Sequence, residues 1–314
     1  MPLRIAFCGT PEFAVPSLRR LLADPEFIVE AVVTQPDRPR GRGQEVSASP
    51  VKQVALEAGV QVYQPEKIKR DESVEFFTRL AVDAVVIIAY GQIISARLIA
   101  IPRLGWINLH GSLLPKYRGA APINWAIANG ESVTGLTTMQ IDAGMDTGPM
   151  LLREELQIGP DETAPELARR MSEAGAPLMA ETLSKLTRGV IAPVPQDSSL
   201  ATYAPPLEKE HGEIDWSLPA RQIYNRMRGF SPWPGAYSTF RGQTCQIWGR
   251  PPGFAASQGE DPGTLRVTRD GVDVVCGGGT VLRLETVQIE GRKRVTAREF
   301  ANGARLKPGE RFGE

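Results

Sequence analysis

The run "AVVIIA", Ala84 to Ala89, is apolar at every position. Such a strand has no wet face, so it must be covered on both sides, as at the centre of a parallel sheet. The surrounding sequence supplies the cover. Leu3 to Phe7 and Ile28 to Val33 read as strands, and Phe13 to Leu22, Pro50 to Ala58 and Glu72 to Leu80 carry helical spacing. The rhythm continues through the strands "GWINLH" (Gly105 to His110), Thr134 to Ile141 and 149 to 157, and a long helix from Thr163 to Leu186. Alternation of this kind predicts an α/β fold, an open and mostly parallel sheet with helices on both faces.

In open parallel sheets ligands bind beyond the carboxyl ends of the strands. That rule selects Asn108 and His110, which end one strand, and Asp146 in "DAGMDTG", which follows the next. Both groups are therefore expected at one edge of the sheet. They supply an amide, an imidazole and a carboxylate: the first two can aim N–H groups at a developing oxyanion while the third orients the imidazole. Such a set suits acyl transfer without a covalent enzyme intermediate. Two other readings stand beside it, a Ser-His-Asp triad through Ser112 and a merely structural role for His110, with Asp146 capping a turn. The turn "CGTPEF" lacks the G-x-G-x-x-G spacing of a dinucleotide site.

After Gly189 the text changes to "VIAPVPQDSSLATYAPPLEKE", a proline-rich linker. Beyond it a helix over Ala220 to Arg228 precedes short β-like runs, "TCQIWG", "GTLRVT", "GVDVVCG" and "TVLRLETVQI", whose spacing suggests a small barrel. Two domains suit a chain of 314 residues. The boundaries expected are 1–189, a linker at 190–207, and 208–314.

Charge is balanced, 36 basic against 36 acidic residues, so no bulk field advertises a partner. From residue 208 onward, however, 16 basic face 13 acidic side chains, and Arg292, Lys293 and Arg294 form the densest basic run. Cys8, Cys245 and Cys276 are too scattered for a disulfide framework or a zinc knuckle, so reduced thiols and no metal are expected. No stretch approaches the roughly 18 apolar residues of a membrane span. A cytoplasmic protein without a transit peptide is the resulting expectation.

The wording around the polar cluster resembles the folate-dependent formyltransferases, in which Asn-x-His precedes Ser-Leu-Leu-Pro and a distant Asp completes the site. Here these are Asn108, His110, Ser112 to Pro115, and Asp146 in "IDAGMDTG". Further matches are "FCGTPEFAVPSL", "TQPDRPRGRG" at 34 to 43, "AYG" at 89 to 91, and "FSPWPGAY" at 230 to 237. Within that family the chain is most similar to the members that act on methionyl-tRNA. The resemblance implies a Rossmann-like catalytic domain followed by an OB-like β-barrel. It implies transfer of the formyl group of 10-formyltetrahydrofolate to the free amine of methionyl-initiator-tRNA, by a monomer. Asn108, His110 and Asp146 would be catalytic, and Ser112, Leu113, Leu114, Pro115, Tyr90 and Gly91 would bind the folate. Arg42, with Arg38 and Arg40 on the same polar stretch, would reach the tRNA.

The family's linker often carries lysines in an Ala-x-Lys-Leu-x-Lys pattern. "YAPPLEKE" has Pro206 at the first lysine and keeps Lys209, which becomes the linker's candidate for RNA contact. Trp233, between two prolines, is expected to form an apolar plug at the domain interface or barrel entry. The same catalytic set would also serve a formyltransferase for an amino sugar or glycinamide ribonucleotide, or a formyl-folate hydrolase. A non-catalytic RNA-binding protein with a relic folate domain is the alternative outside enzymology.

Overall fold

The computed structural model describes residues 1–40, 45–252 and 259–314. It forms two compact units, one built from Met1–Pro122, Val133–Gln157 and Glu166–Ala204, the other from Ile123–Ser132, Ile158–Pro165 and Pro205–Glu314. The division is less simple than the expected one, because two short segments within residues 1–189 belong to the second unit.

The first unit begins β1 (Leu3–Gly9), α1 (Val15–Ala23), β2 (Phe27–Val33), β3 (Arg38–Arg40), β4 (Glu45–Ser47), α2 (Pro50–Glu57), β5 (Gln61–Tyr63), α3 (Asp71–Leu80), β6 (Ala84–Ile88), α4 (Ala96–Ile99) and β7 (Trp106–His110). After β8 (Arg118–Gly119) and α5 (Pro122–Ala128) come β9 (Val133–Gln140), β10 (Met150–Gln157), α6 (Ala164–Thr187) and β11 (Tyr203–Ala204). Seven strands form one sheet in the order β10-β9-β7-β6-β1-β2-β5. Strand β6, whose run demanded cover on both faces, is buried at every residue and is the central strand of the seven, between β7 and β1. Local signals set the helix starts: Ser49 caps α2 by accepting from the Lys52 N–H at 3.1 Å, with Pro50 in the first turn.

One expectation changes. Strand β9 runs antiparallel to β7, with Gln140 beside Ile107 and Thr137 beside His110. It therefore leaves the sheet at the amino end of β7, where the Ile141 N–H donates to the Trp106 carbonyl at 2.8 Å. The loop carrying Asp146 starts at the edge opposite to His110 rather than at the same one. On the polar stretch that carries the arginines, β3 and β4 pair as an antiparallel ribbon, Arg38 with Ser47.

The expected linker is anchored to the first unit as far as Ala204. Val194 exchanges backbone hydrogen bonds with Met150 at 2.8 Å each way, and β11 pairs in parallel with β8. Proline-rich text signalled irregular backbone, which is what these residues have; it carried no information on what holds that backbone.

The second unit contains α7 (Ala220–Gly229), then β12 (Tyr237–Phe240), β13 (Gln243–Arg250), β14 (Leu265–Thr268), β15 (Gly271–Cys276), β16 (Thr280–Ile289), β17 (Val295–Thr296) and α8 (Ala297–Ala304). Its sheet is antiparallel, ordered β12-β13-β16-β15-β14 with β17 on β16, a barrel-like domain as expected. Phe240, Phe300 and Phe312 meet in its core. The plug assigned to Trp233 is not there, because Trp233 is 55% exposed. Phe230 of the same motif is the buried residue, packed edge-on against Trp125 at 5.1 Å. Two prolines stiffen the segment but leave the indole no facing surface.

Candidate active site

Asn108 and His110 are two residues apart on β7, so their side chains leave the same face of the sheet. His110 is 6% exposed and Asn108 half-buried. The imidazole Nε2–H donates to the Tyr117 carbonyl at 2.9 Å, which leaves Nδ1 facing the carboxylate of Asp146, with Oδ2 at 3.7 Å. That separation is within ion-pair reach but longer than a hydrogen bond. The ring is thus held by a backbone carbonyl, and Nδ1 is the atom open to a reacting group.

Asp146 reaches His110 because residues 142 to 148 turn back over the sheet face, and four observations show how that return is held. The Asp146 backbone sits in the left-handed region, at φ 53°; an aspartate tolerates this better than most residues. Its Oδ2 accepts from the Gly119 N–H at 2.8 Å. Position 119 must be glycine, since φ is 121° and a Cβ there would lie 2.6 Å from the Ala204 carbonyl oxygen on β11. Finally, the Gln196 amide donates to the carbonyls of both Asp146 and Gly148, at 2.8 Å each. Gln196 is in turn fixed by Arg118, 3% exposed, whose guanidinium donates twice to Oε1 at 3.0 and 2.8 Å. Tyr117, at φ 59°, and Asp146 are non-glycine residues in a sparsely populated conformation on either side of one imidazole, a concentration typical of functional sites.

Gln196, Arg118 and Tyr117 escaped the sequence reading. A glutamine in a proline-rich connector has no periodicity or spacing to betray it. Arg118 adjoins the motif but looks like any loop cation until its burial is known.

The expected folate residues lie at the carboxyl edge, Tyr90 and Gly91 after β6, Ser112 to Pro115 after β7. Their surfaces differ. The Ser112 hydroxyl donates to the Lys116 carbonyl at 2.6 Å, which spends it on the turn and weakens the triad reading. Thr137 on β9 pins the same turn: its hydroxyl donates to the Ser112 carbonyl at 2.7 Å and accepts from the Leu114 N–H at 3.1 Å. Leu114 is fully buried, whereas Leu113 and Pro115 keep accessible surface. The Tyr90 ring is 2% exposed within the core, and burial pushes its hydroxyl pKa up. Only its backbone reaches the edge, where the carbonyl accepts from Gln35 Nε2 at 3.0 Å.

Arg38 is exposed on β3, Arg40 ends that strand, and Arg42 falls outside the described residues. In the second unit Lys209 is exposed at the start of a short turn of 3-10 helix, Lys209–Gly212. Among the described residues no group of three or more His, Cys, Asp or Glu side chains is placed to hold a metal ion.

A mixed sheet that sets an imidazole against a carboxylate at one strand end, with an asparagine two residues before it on the same face, fits the chemistry of acyl-type group transfer. The chain belongs to the formyl transferase family: residues 3–183 match its formyl transferase domain and residues 206–305 its C-terminal domain. It is 53% identical to the methionyl-tRNA formyltransferase of Solibacter usitatus over 312 residues, covering 99% of both chains. Identity to the methionyl-tRNA formyltransferase of Geobacter sulfurreducens is 50%, over 99% of this chain and 97% of that one. Among solved structures, the sugar 3N-formyl transferase WlaRD shares the fold, with a TM-score of 0.65 at 17% identity over 93% of this chain and all of that one. HypX from Aquifex aeolicus, solved with tetrahydrofolic acid, gives 0.60 at 17% identity, over 96% of this chain and 48% of that chain. No helix among the described residues is long and apolar enough to cross a membrane.

Proposed function

We propose that the protein transfers the formyl group of 10-formyltetrahydrofolate to the free amine of methionyl-initiator-tRNA, in the cytoplasm and as a monomer. The observation that carries the reading is the buried His110, with Nε2 tied to a carbonyl and Nδ1 left facing Asp146. Full-length identity near 50% to proteins of that name supports the acceptor. In this reading residues 1–189 are the catalytic domain, 190–207 the connector, and 208–314 the tRNA-binding domain.

When bound, the folate supplies an activated formyl carbon. Leu113 and Pro115 offer it the accessible apolar surface of the Ser112–Pro115 turn, and Gly91 offers backbone; Ser112, Leu114 and Tyr90 act by shaping those groups rather than by touching it. The chain's own residues do the rest. The Asn108 amide donates to the oxygen that gains charge as the amine adds. His110 Nδ1 gives or takes the proton at that centre, and the Asp146 carboxylate holds the charge that the imidazole acquires. Arg38, Arg40, Arg42 and Lys209 contact the RNA.

Removing one oxyanion donor costs about 100- to 1000-fold in turnover, and removing a general acid–base costs about 100- to 10,000-fold. Asn108→Ala and His110→Ala should each show a kcat loss of about that size in folded protein. The assay is incubation with 10-formyltetrahydrofolate and charged initiator tRNA, release of the methionine, and its mass. Formylmethionine is the expected product. Free formate at the full rate without acceptor would make the protein a hydrolase, and formylation of a nucleotide-linked amino sugar in preference to the tRNA would change the acceptor.

A further inference from the structure

Both arms of the site are held from the proline-rich connector, by residues that follow the whole catalytic sequence. One arm is the Asp146 loop, where the Gln196 amide donates to the Asp146 and Gly148 carbonyls. The orientation of that amide is forced, because Arg118 donates twice to its Oε1 and only Nε2 is left to face the carbonyls. The other arm is Tyr117, whose carbonyl accepts from His110 Nε2. Its peptide is pinned by Thr202. The Tyr117 N–H donates to Thr202 Oγ1 at 2.8 Å, the Arg118 N–H to the Thr202 carbonyl at 2.9 Å, and the Thr202 N–H to the Pro115 carbonyl at 3.4 Å. Between the two anchors the connector makes a turn of 3-10 helix, Ser198–Leu200, capped by Asp197, which accepts from the Ser199 N–H at 3.0 Å. Local structure therefore sets the span from Gln196 to Thr202.

The Thr202 hydroxyl meets the backbone where support is most needed. Tyr117 is 7% exposed and held at φ 59°, a left-handed conformation that a bulky residue keeps only where its surroundings over-determine it. A buried N–H must also find an acceptor. Thr202 supplies both the restraint and the acceptor. The consequence reaches the imidazole, because the ring nitrogen that carries the proton is set by the partner of the other. A carbonyl can only accept, so the Tyr117 carbonyl keeps the proton on Nε2 of the neutral ring and leaves Nδ1 as the lone pair at the reacting centre.

Resting on the formyl-transfer reading above, we propose that the connector over 194–204 is a working part of the catalytic centre. Gln196 positions Asp146, and Thr202, through the Tyr117 peptide, selects the tautomer of His110. Neither touches the reacting atoms; both are positioning residues. The catalytic domain then extends past residue 189 to Ala204, where the first compact unit ends.

The test is Thr202→Val, which keeps the branched shape and the backbone bonds of residue 202 and removes the hydroxyl alone. In the full chain kcat should fall about tenfold, since small misplacements of a catalytic group are costly, while KM for 10-formyltetrahydrofolate and for charged initiator tRNA stays unchanged. Thr202→Ser returns the hydroxyl and should restore kcat. A second readout does not depend on turnover. With ¹⁵N-labelled histidine, the imidazole correlation spectrum at a pH where the rings are neutral reports each tautomer, and the chain has two histidines to assign. His110 should show the Nε2–H form in the unmodified protein and a mixture of both forms in Thr202→Val. His211, whose Nδ1 accepts from the Glu208 N–H at 2.9 Å, is the internal control and should not change. An unaltered His110 pattern in Thr202→Val would overturn the proposal. So would an unchanged kcat, a defect confined to KM, or a kcat loss that serine does not repair. Absence of tRNA formylation by the unmodified protein, with the tautomer shift observed, would instead refute the underlying activity.

Discussion

At the scale of single residues, the proposed catalytic set was suggested by a chain with two histidines placing one at a strand end near an asparagine, and was assigned through the motif's resemblance to the formyltransferases. What was not legible is the support. Gln196 touches neither ring nor carboxylate, yet its two hydrogen bonds to the Asp146 and Gly148 carbonyls hold the backbone from which the carboxylate projects. We therefore treat it as a positioning residue. Gln196→Ala should lower kcat by about tenfold or more, since small misplacements of a catalytic group are costly, with KM for both substrates little changed. Gln196→Glu keeps an acceptor for Arg118 but sets a carboxylate against two carbonyls, so it should be at least as impaired, whereas a merely space-filling role would let Glu restore activity. A KM rise at unchanged kcat would remove Gln196 from this role.

Among elements, the strands and helices followed from periodicity almost throughout, since burial on one face or both is written into the side chains themselves. Direction was not written. Strand β9 has the composition of a buried strand in either orientation, and a short connection after β7 was no guide, because α5 intervenes. Its antiparallel course places Thr137 opposite His110, where the hydroxyl can brace the Ser112–Pro115 turn from behind. Thr137→Val keeps the shape and strands two buried backbone groups. Each unsatisfied group costs about 1–3 kcal/mol. The expected outcome is a loss of a few kcal/mol by urea unfolding and a raised KM for the folate; unaltered stability would show that the turn holds itself. Gly119→Ala makes a parallel case at β8, where the new methyl meets the Ala204 carbonyl and the Asp146 contact is lost.

For the whole molecule, the three thiols link stability to alkaline pH. All are buried; burial alone drives Cys8 well above its ordinary value of 9.0 and pushes Cys245 and Cys276 up to about 12. A raised folded-state pKa means that the native protein keeps protons the unfolded chain releases. The stability is then complete below about pH 9 and is lost as pH climbs toward 12. In that window each thiol removes about 1.4 kcal/mol per pH unit. Two of the three are in the second unit, joined there by Tyr224 and Tyr237, whose hydroxyls burial also raises, while the first unit has Cys8 and Tyr90. Two such slopes between pH 9 and 12 remove about 8 kcal/mol, comparable with typical stabilities of about 5–15 kcal/mol, so the second unit should unfold first on an alkaline titration. Trp106 is in the first unit and Trp125, Trp216, Trp233 and Trp248 are in the second, so tryptophan fluorescence reports mainly on the latter. Its transition should precede the loss of far-ultraviolet helical signal, much of which comes from the first unit's α1, α2, α3 and α6. In Cys245→Ala the fluorescence midpoint should depend less steeply on pH, whatever the lost sulfur does to stability at neutral pH. One coincident transition by both probes, or an unchanged pH slope in that variant, would show that the thiols do not govern the alkaline limit.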